Sequence, residues 1–108
     1  MEDVEGEVLR LQAEICKAIA HPKRLMIIYA LEAGERGAGE LAEELGLGLP
    51  TLSQHMRILR EQGLVAARQQ GRNVYYRLSD SRIIEACEMM RRLLKSWLVR
   101  LEGISQEI

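Results

Sequence analysis

The chain has 108 residues, 47% of them hydrophobic and 29% charged, with a formal net charge of −1 at neutral pH. That size and balance exclude a disordered chain and suit one domain whose modest core gains from dimerising. Phe is absent, no apolar run approaches the ~18 residues that cross a bilayer, no secretion leader is recognised, and two distant cysteines suggest thiols in a reducing cytoplasm.

Val4, Val8, Leu11, Ile15 and Ala18 or Ile19 recur at steps of three and four, which predicts a first helix over 3–19. Gly6 weakens its start. His21-Pro22 breaks it, because the residue before proline avoids the helical region. Pro22 opens a second helix, Lys23 to Ala33, with Leu25, Ile28 and Leu31 as core candidates and Gly34 at its end. Gly37 to Leu45 predicts a short third helix with Leu41, Ala42 and Leu45 inward and Glu40, Glu43 and Glu44 on a solvated face. Gly46-Leu47-Gly48 turns the chain into a fourth helix. Two short helices joined by a glycine-containing turn are a helix-turn-helix, here over 37–63.

The fourth helix runs from Leu49 to Gly63. Gly48 serves as its N-cap, and Pro50 sits in the first turn, where a missing N–H costs nothing. Leu52, Met56 and Leu59 face a core. Thr51, Ser53, Gln54, His55 and Arg57 occupy the rest of the surface, and short hydroxyl and amide groups there can reach base edges and phosphates. Gly63 stops the helix as a left-handed cap. Leu64–Gln70, Gly71-Arg72-Asn73 and Val74–Leu78 then read as strand, turn and strand, a wing over 64–78. Alone, the helix reads as an ordinary amphipathic surface helix. With a basic hairpin directly after it, the layout is that of a winged helix, with one helix in the major groove and the hairpin over the flanking backbone. The Tyr75-Tyr76 pair alternates across the hairpin, so one ring packs inward and the other meets the wing surface or DNA.

Charge is segregated along the chain. From Thr51 to Arg77, Arg57, Arg60, Arg68, Arg72 and Arg77 stand against Glu61 alone, a balance of +4. From Met1 to Glu14, five acids stand against Arg10, a balance of −4. Such asymmetry concentrates positive potential on one face. Arg60, Arg68 and Arg72 are phosphate-contact candidates, and Arg77 either joins them or balances acids near its own hairpin.

Asp80 caps a last helix running to about Glu102. Ile83, Cys87, Met90, Leu94, Trp97 and Leu101 follow steps of four and three, a heptad-like seam. Such a helix can pack on its own domain. Helices 1–19 and 80–102 lie outside the DNA-reading unit, however, and predict a two-fold dimer interface that buries Trp97 and the methionines. The expected fold is mainly α with a two-stranded β wing: a single winged helix-turn-helix domain over 1–108.

The segments KAIAHPKRLMIIYAL, GELAEELGL, LSQHMRILREQGLV and RQQGRNVYYRLSD, in this order from about Ala13 to Leu78, resemble the ArsR/SmtB family of bacterial and archaeal winged-helix repressors. The resemblance implies a homodimer that represses by covering an inverted-repeat operator in double-stranded DNA. By position, Thr51, Ser53, Gln54 and His55 match the family's reading helix, and Arg68, Gln70, Arg72 and Asn73 match its wing. The family often has Ser-Gln before the proline. Here Gly48-Leu49 stands there. Glycine at the cap costs only about a few tenths of a kcal/mol, but Leu49 loses a polar contact, so the operator sequence does not carry over.

Members of the family often bind a metal. Its thiolate site at the start of the third helix has two cysteines where this chain has Gly37 and Gly39. Its site on the last helix needs Asp-x-His with a later His and carboxylate. Here Asp80 is followed by Arg82, and Leu93 and Ser96 hold the later places. Zinc wants about four ligands, so neither site, no metal and no cofactor is expected. Cys16 and Cys87, on the two terminal helices, suit a thiol switch through a disulfide or polysulfide link. With His21, separated from Cys16 by four residues, they also suit a soft-metal or haem site. Against both, free cysteine commonly packs as a small apolar side chain, and the dithiol pattern of persulfide-sensing members would place one of its cysteines where this chain has Tyr29. His21 reads as a helix-boundary residue beside Pro22. No paired acid and base and no nucleophile with a partner is seen. No Gly-Lys-[Ser/Thr] follows the glycine-rich 34–48 stretch, so an enzyme is not expected. The expected function is a sequence-specific DNA-binding repressor in the cytoplasm, answering a small-molecule or redox inducer or none, with no membrane partner. The competing reading is a winged-helix module that binds an acidic protein.

Overall fold

The computed structural model describes residues 3–102, with side chains from 4 to 100. The elements are α1 (Asp3–Ile19), α2 (Pro22–Ala30), β1 (Arg36–Gly37), α3 (Ala38–Leu45), α4 (Leu49–Glu61), β2 (Val65–Gln70), β3 (Asn73–Leu78) and α5 (Arg82–Glu102). Met1, Glu2 and residues 103–108, the ends of the expected domain, lie outside the described set, as does the side chain of Leu101 in the heptad seam.

α1 breaks at the predicted place. His21 is extended (φ −155°, ψ 125°), and its Nδ1 accepts from the Lys23 N–H at 3.1 Å, so it is the N-cap of α2. α2 ends at Ala30, short of the expected Ala33. The Leu31 N–H bonds to the Ile27 and Ile28 carbonyls and the Gly34 N–H to that of Leu31, so the chain leaves the helix through tight turns. α2 packs against α1, α3 and α4 together. That enclosure buries Ile27, which a single inward stripe misses, alongside Ile28 and Leu31, while Leu25 is only partly buried.

α4 agrees closely with its pattern. Gly48 is the extended N-cap, and the Leu52 N–H bonds to its carbonyl at 3.0 Å. Leu52, Met56 and Leu59 are at most 1% exposed. At the far end Gly63 adopts φ 75°, a conformation that side chains resist. Its N–H bonds to the Arg60 carbonyl, and the Leu64 N–H bonds to that of Leu59, both at 2.9 Å. This is a Schellman closure. It sets two buried leucines, Leu59 and Leu64, against the start of β2.

The sheet corrects two expectations. Arg36–Gly37 pairs antiparallel with β3, giving the order β1-β3-β2, so the two-stranded wing is part of a three-stranded sheet. Two residues carry no alternation to read. Their pairing comes from the far edge of β3, whose backbone groups would otherwise be unpaired. The expected turn Gly71-Arg72-Asn73 is also shorter. Gln70 pairs with Asn73, which is therefore the first residue of β3. Gly71 takes φ 62° as the first central residue of the two-residue turn, where the II′ type requires glycine.

The terminal helices differ from the middle of the chain. Ala18, Ile84 and Cys87 join the core. Beyond them, ten of the twelve exposed large apolar side chains among the described residues lie on α1 and α5. Those of α5 are Met89, Met90, Leu93, Leu94, Trp97 and Leu98.

Candidate nucleic-acid interface

The amphipathic geometry of α4 turns its remaining residues outward. Thr51, Ser53, Gln54, Arg57 and Arg60 are exposed, opposite the buried Leu52, Met56 and Leu59. Between the end of this helix and β2 lies an open groove of about 520 Å³, lined by Arg57, Arg60, Glu61, Val65, Ala66 and Ala67. On the hairpin, Gln70, Arg72 and Asn73 are exposed at the tip. Tyr76 packs inward at 7% exposure, and Tyr75 lies on the other side against Gly37 and Arg68.

Three of the predicted residues, His55, Arg68 and Gln70, are engaged within the chain. His55 is half-buried at the α2 edge of the helix. Its Nδ1 accepts from Arg24 Nη1 at 3.3 Å, and its ring lies 4.8 Å from that of His21. Arg24 also donates to the Ala18 carbonyl, so one guanidinium ties the end of α1 to α4. Arg68, expected as a free wing cation, is paired with Glu35. Nothing in the local sequence marks Arg24 or Glu35, because each acts on a residue more than thirty positions away.

The His55 environment has a pH consequence. Burial foremost, then His21, Arg24 and Lys23, push its imidazole below the ordinary 6.5. Below about pH 6.5 the unfolded chain therefore binds a proton more readily than the folded one. The stability from this group is complete above that pH and is lost as pH falls through the folded-state pKa. Urea unfolding between about pH 7.5 and about pH 5 will show this decline. The variant His55→Gln will show a smaller one, and an unchanged decline would place its cause elsewhere.

At the two zinc positions of the family this chain carries no thiolate and no imidazole. Gly37 lies against the Tyr75 ring, where an added Cβ would sit 3.6 Å from Cε1. The Asp80 carboxylate accepts from Arg82 Nη2 at 2.6 Å and from the Arg82 backbone N–H at 2.9 Å, and these bonds hold its pKa down to about 2. Among the described residues no cluster of three or more His, Cys, Asp or Glu is placed to hold a metal ion. These residues do not fit a zinc site. Cys16 is exposed on α1, whereas Cys87 is buried. Burial and the neighbouring Glu88 push the Cys87 thiol up, which disfavours a reactive thiolate. No described helix is long and apolar enough to cross a membrane.

A family model described as bacterial regulatory protein, arsR family, matches residues 21–67, from the cap of α2 into β2. The biofilm growth-associated repressor of Xylella fastidiosa is 40% identical over 81 residues, covering 75% of this chain and 70% of that protein. The chain belongs to the ArsR family. It is a winged helix-turn-helix transcriptional regulator, with α3 and α4 as the helix-turn-helix and β2–β3 as the wing. Solved structures agree with the fold. The crystal structure of Mycobacterium tuberculosis Rv0081 is 35% identical with a TM-score of 0.77, covering 86% of this chain and 94% of that one. The solution structure of the homodimeric winged helix-turn-helix DNA-binding domain of Mb0332 from Mycobacterium bovis is 28% identical with a TM-score of 0.82, covering 97% of each.

Proposed function

We propose that this ArsR-family chain acts in the cytoplasm as a homodimeric repressor that covers an inverted-repeat operator in double-stranded DNA. One observation carries the reading: an exposed polar face, Thr51, Ser53, Gln54 and Arg57, backs onto a fully buried stripe of the same helix and continues into a basic wing. The face docks in the major groove, where Gln54 suits a bidentate contact to adenine. Arg57, Arg60 and Arg72 contact phosphates, with Gln70 and Asn73 at the wing tip beside them. At the edge of the helix, Arg24 holds His55 with Nδ1 as acceptor, which leaves Nε2–H to donate to a phosphate. The exposed apolar faces of α1 and α5 supply the dimer contact, and two-fold symmetry then matches the inverted repeat. The homodimeric state of the M. bovis domain and the repressor role of the X. fastidiosa relative support these two points. The buried thiol of Cys87 has no step in this reading.

The test is fluorescence anisotropy with a duplex enriched from a random-sequence pool by the wild-type protein, titrated over a range of salt. Gln54→Ala will relax discrimination against random duplex by about 1–3 kcal/mol. Arg72→Ala will weaken every duplex alike and reduce the log–log salt slope by about 0.9. Absence of duplex binding at low salt would favour an acidic protein partner instead.

A further inference from the structure

Arg68 has all three of its nitrogens in use. Nε and Nη2 donate to the two carboxylate oxygens of Glu35 at 3.0 and 2.8 Å, and Nη1 donates to Gln70 Oε1 at 2.6 Å. The guanidinium carbon lies 4.6 Å from the centroid of the Tyr75 ring. The register explains why these groups meet. Tyr75 in β3 is the cross-strand partner of Arg68 in β2 on one side and of Gly37 in β1 on the other. Glu35 stands just ahead of β1. The ion pair therefore passes over the central strand and joins the chain entering β1 to the outer strand of the wing. Gly37 lies alongside the same ring, where an added Cβ would make ordinary contact with Cε1 at 3.6 Å. A bidentate pair stacked on an aromatic face is well defined in angle as well as in distance. Glu35 is held below and Arg68 above the ordinary range by this pairing, as expected for a formed contact.

The geometry points to a division of labour within the wing: Arg68 is a positioning residue, latched by Glu35 across Tyr75 to set the angle of the hairpin, while Arg72 at the tip takes the phosphate. The inference rests on the DNA-binding reading above. A phosphate role for Arg68 would require the DNA to displace a bidentate carboxylate. The latch instead keeps the guanidinium in place and presents the tip.

The experiment uses the full chain and the enriched duplex, with Arg68→Ala, Arg68→Lys, Glu35→Ala, the double variant Glu35→Ala/Arg68→Ala, and Arg72→Ala for comparison. Each latch variant will weaken duplex binding by about two- to fivefold, the scale of a well-formed surface pair. The double variant will be no worse than either single alanine variant, and all will keep the wild-type salt slope. Arg68→Lys will behave like Arg68→Ala, because charge without the planar fork does not restore the pair. Arg72→Ala will lose about 0.9 from the slope. A slope reduced by about one in Arg68→Ala, with Arg68→Lys restoring it, would overturn the inference. So would tighter binding by Glu35→Ala, which would mean that the carboxylate merely competes with phosphate. Urea unfolding of the same variants without DNA forms a double-mutant cycle. Additive effects there would show no latch in solution and overturn the inference alone. A wild-type chain that binds no duplex would overturn the DNA-binding reading, and the wing assignment with it.

Discussion

Leu94→Glu will split the proposed dimer and lower affinity for an inverted-repeat duplex by about 10²–10⁴-fold, the loss expected when two linked contacts become one. Leu94 is 45% exposed and lies among the apolar side chains that α5 shows to solvent. It stands beyond Cys87, the last residue of α5 in the core, so a charge there leaves the interior of each protomer intact. In a second copy the same position would meet an apolar face, and burying an unpaired carboxylate against it is strongly unfavourable. Sedimentation will give the mass of one chain, and circular dichroism will keep the helical signal. A variant that stays dimeric and binds the duplex normally would remove α5 from the interface.

Leu59→Ala will cost about 2–5 kcal/mol of unfolding free energy, a large part of the roughly 5–15 kcal/mol that a domain of this kind has. Leu59 is completely buried, and its carbonyl closes the Schellman turn after α4. Truncation leaves a cavity between the reading helix and the start of the wing. Leu49→Ala, on the same helix but 55% exposed, will change stability by no more than about 0.5 kcal/mol. Urea denaturation of both variants checks the contrast, and a loss below about 1 kcal/mol for Leu59→Ala would mean that the neighbours close around the gap.

The parts of the molecule that were legible in advance are those whose signal is local. α1, α4 and the hairpin carry periodicities of three to four or two, bounded by His21-Pro22, Gly63 and Gly71, and their ends fall within a few residues of the pattern. The stripe Leu52, Met56 and Leu59 also fixes which side of α4 is free for DNA. What stayed hidden depends on tertiary placement. β1 is two residues long and exists only because β3 lies beside it. Arg68 reads as a free wing cation until the fold brings Glu35, at 33 residues' separation, against it. His55 reads as one more polar residue of the recognition surface until α2 places His21 and Arg24 at its edge. α2 likewise ends at Ala30, where the backbone tightens into the turns that lead to β1.

The closure at Gln62-Gly63-Leu64 leaves no slack between α4 and β2. The Ser79 N–H bonds to the Leu64 carbonyl at 3.0 Å, so the returning end of the hairpin is fastened to the same joint. A tilt of the helix axis must therefore carry the hairpin with it, and the two parts meet or leave a duplex in concert. In the proposed complex, the spacing between groove and flank contacts is then set by this joint. A single residue inserted at 62–64 would rotate the wing out of step with the helix, so a change of preferred site length has to arise between protomers, not within one.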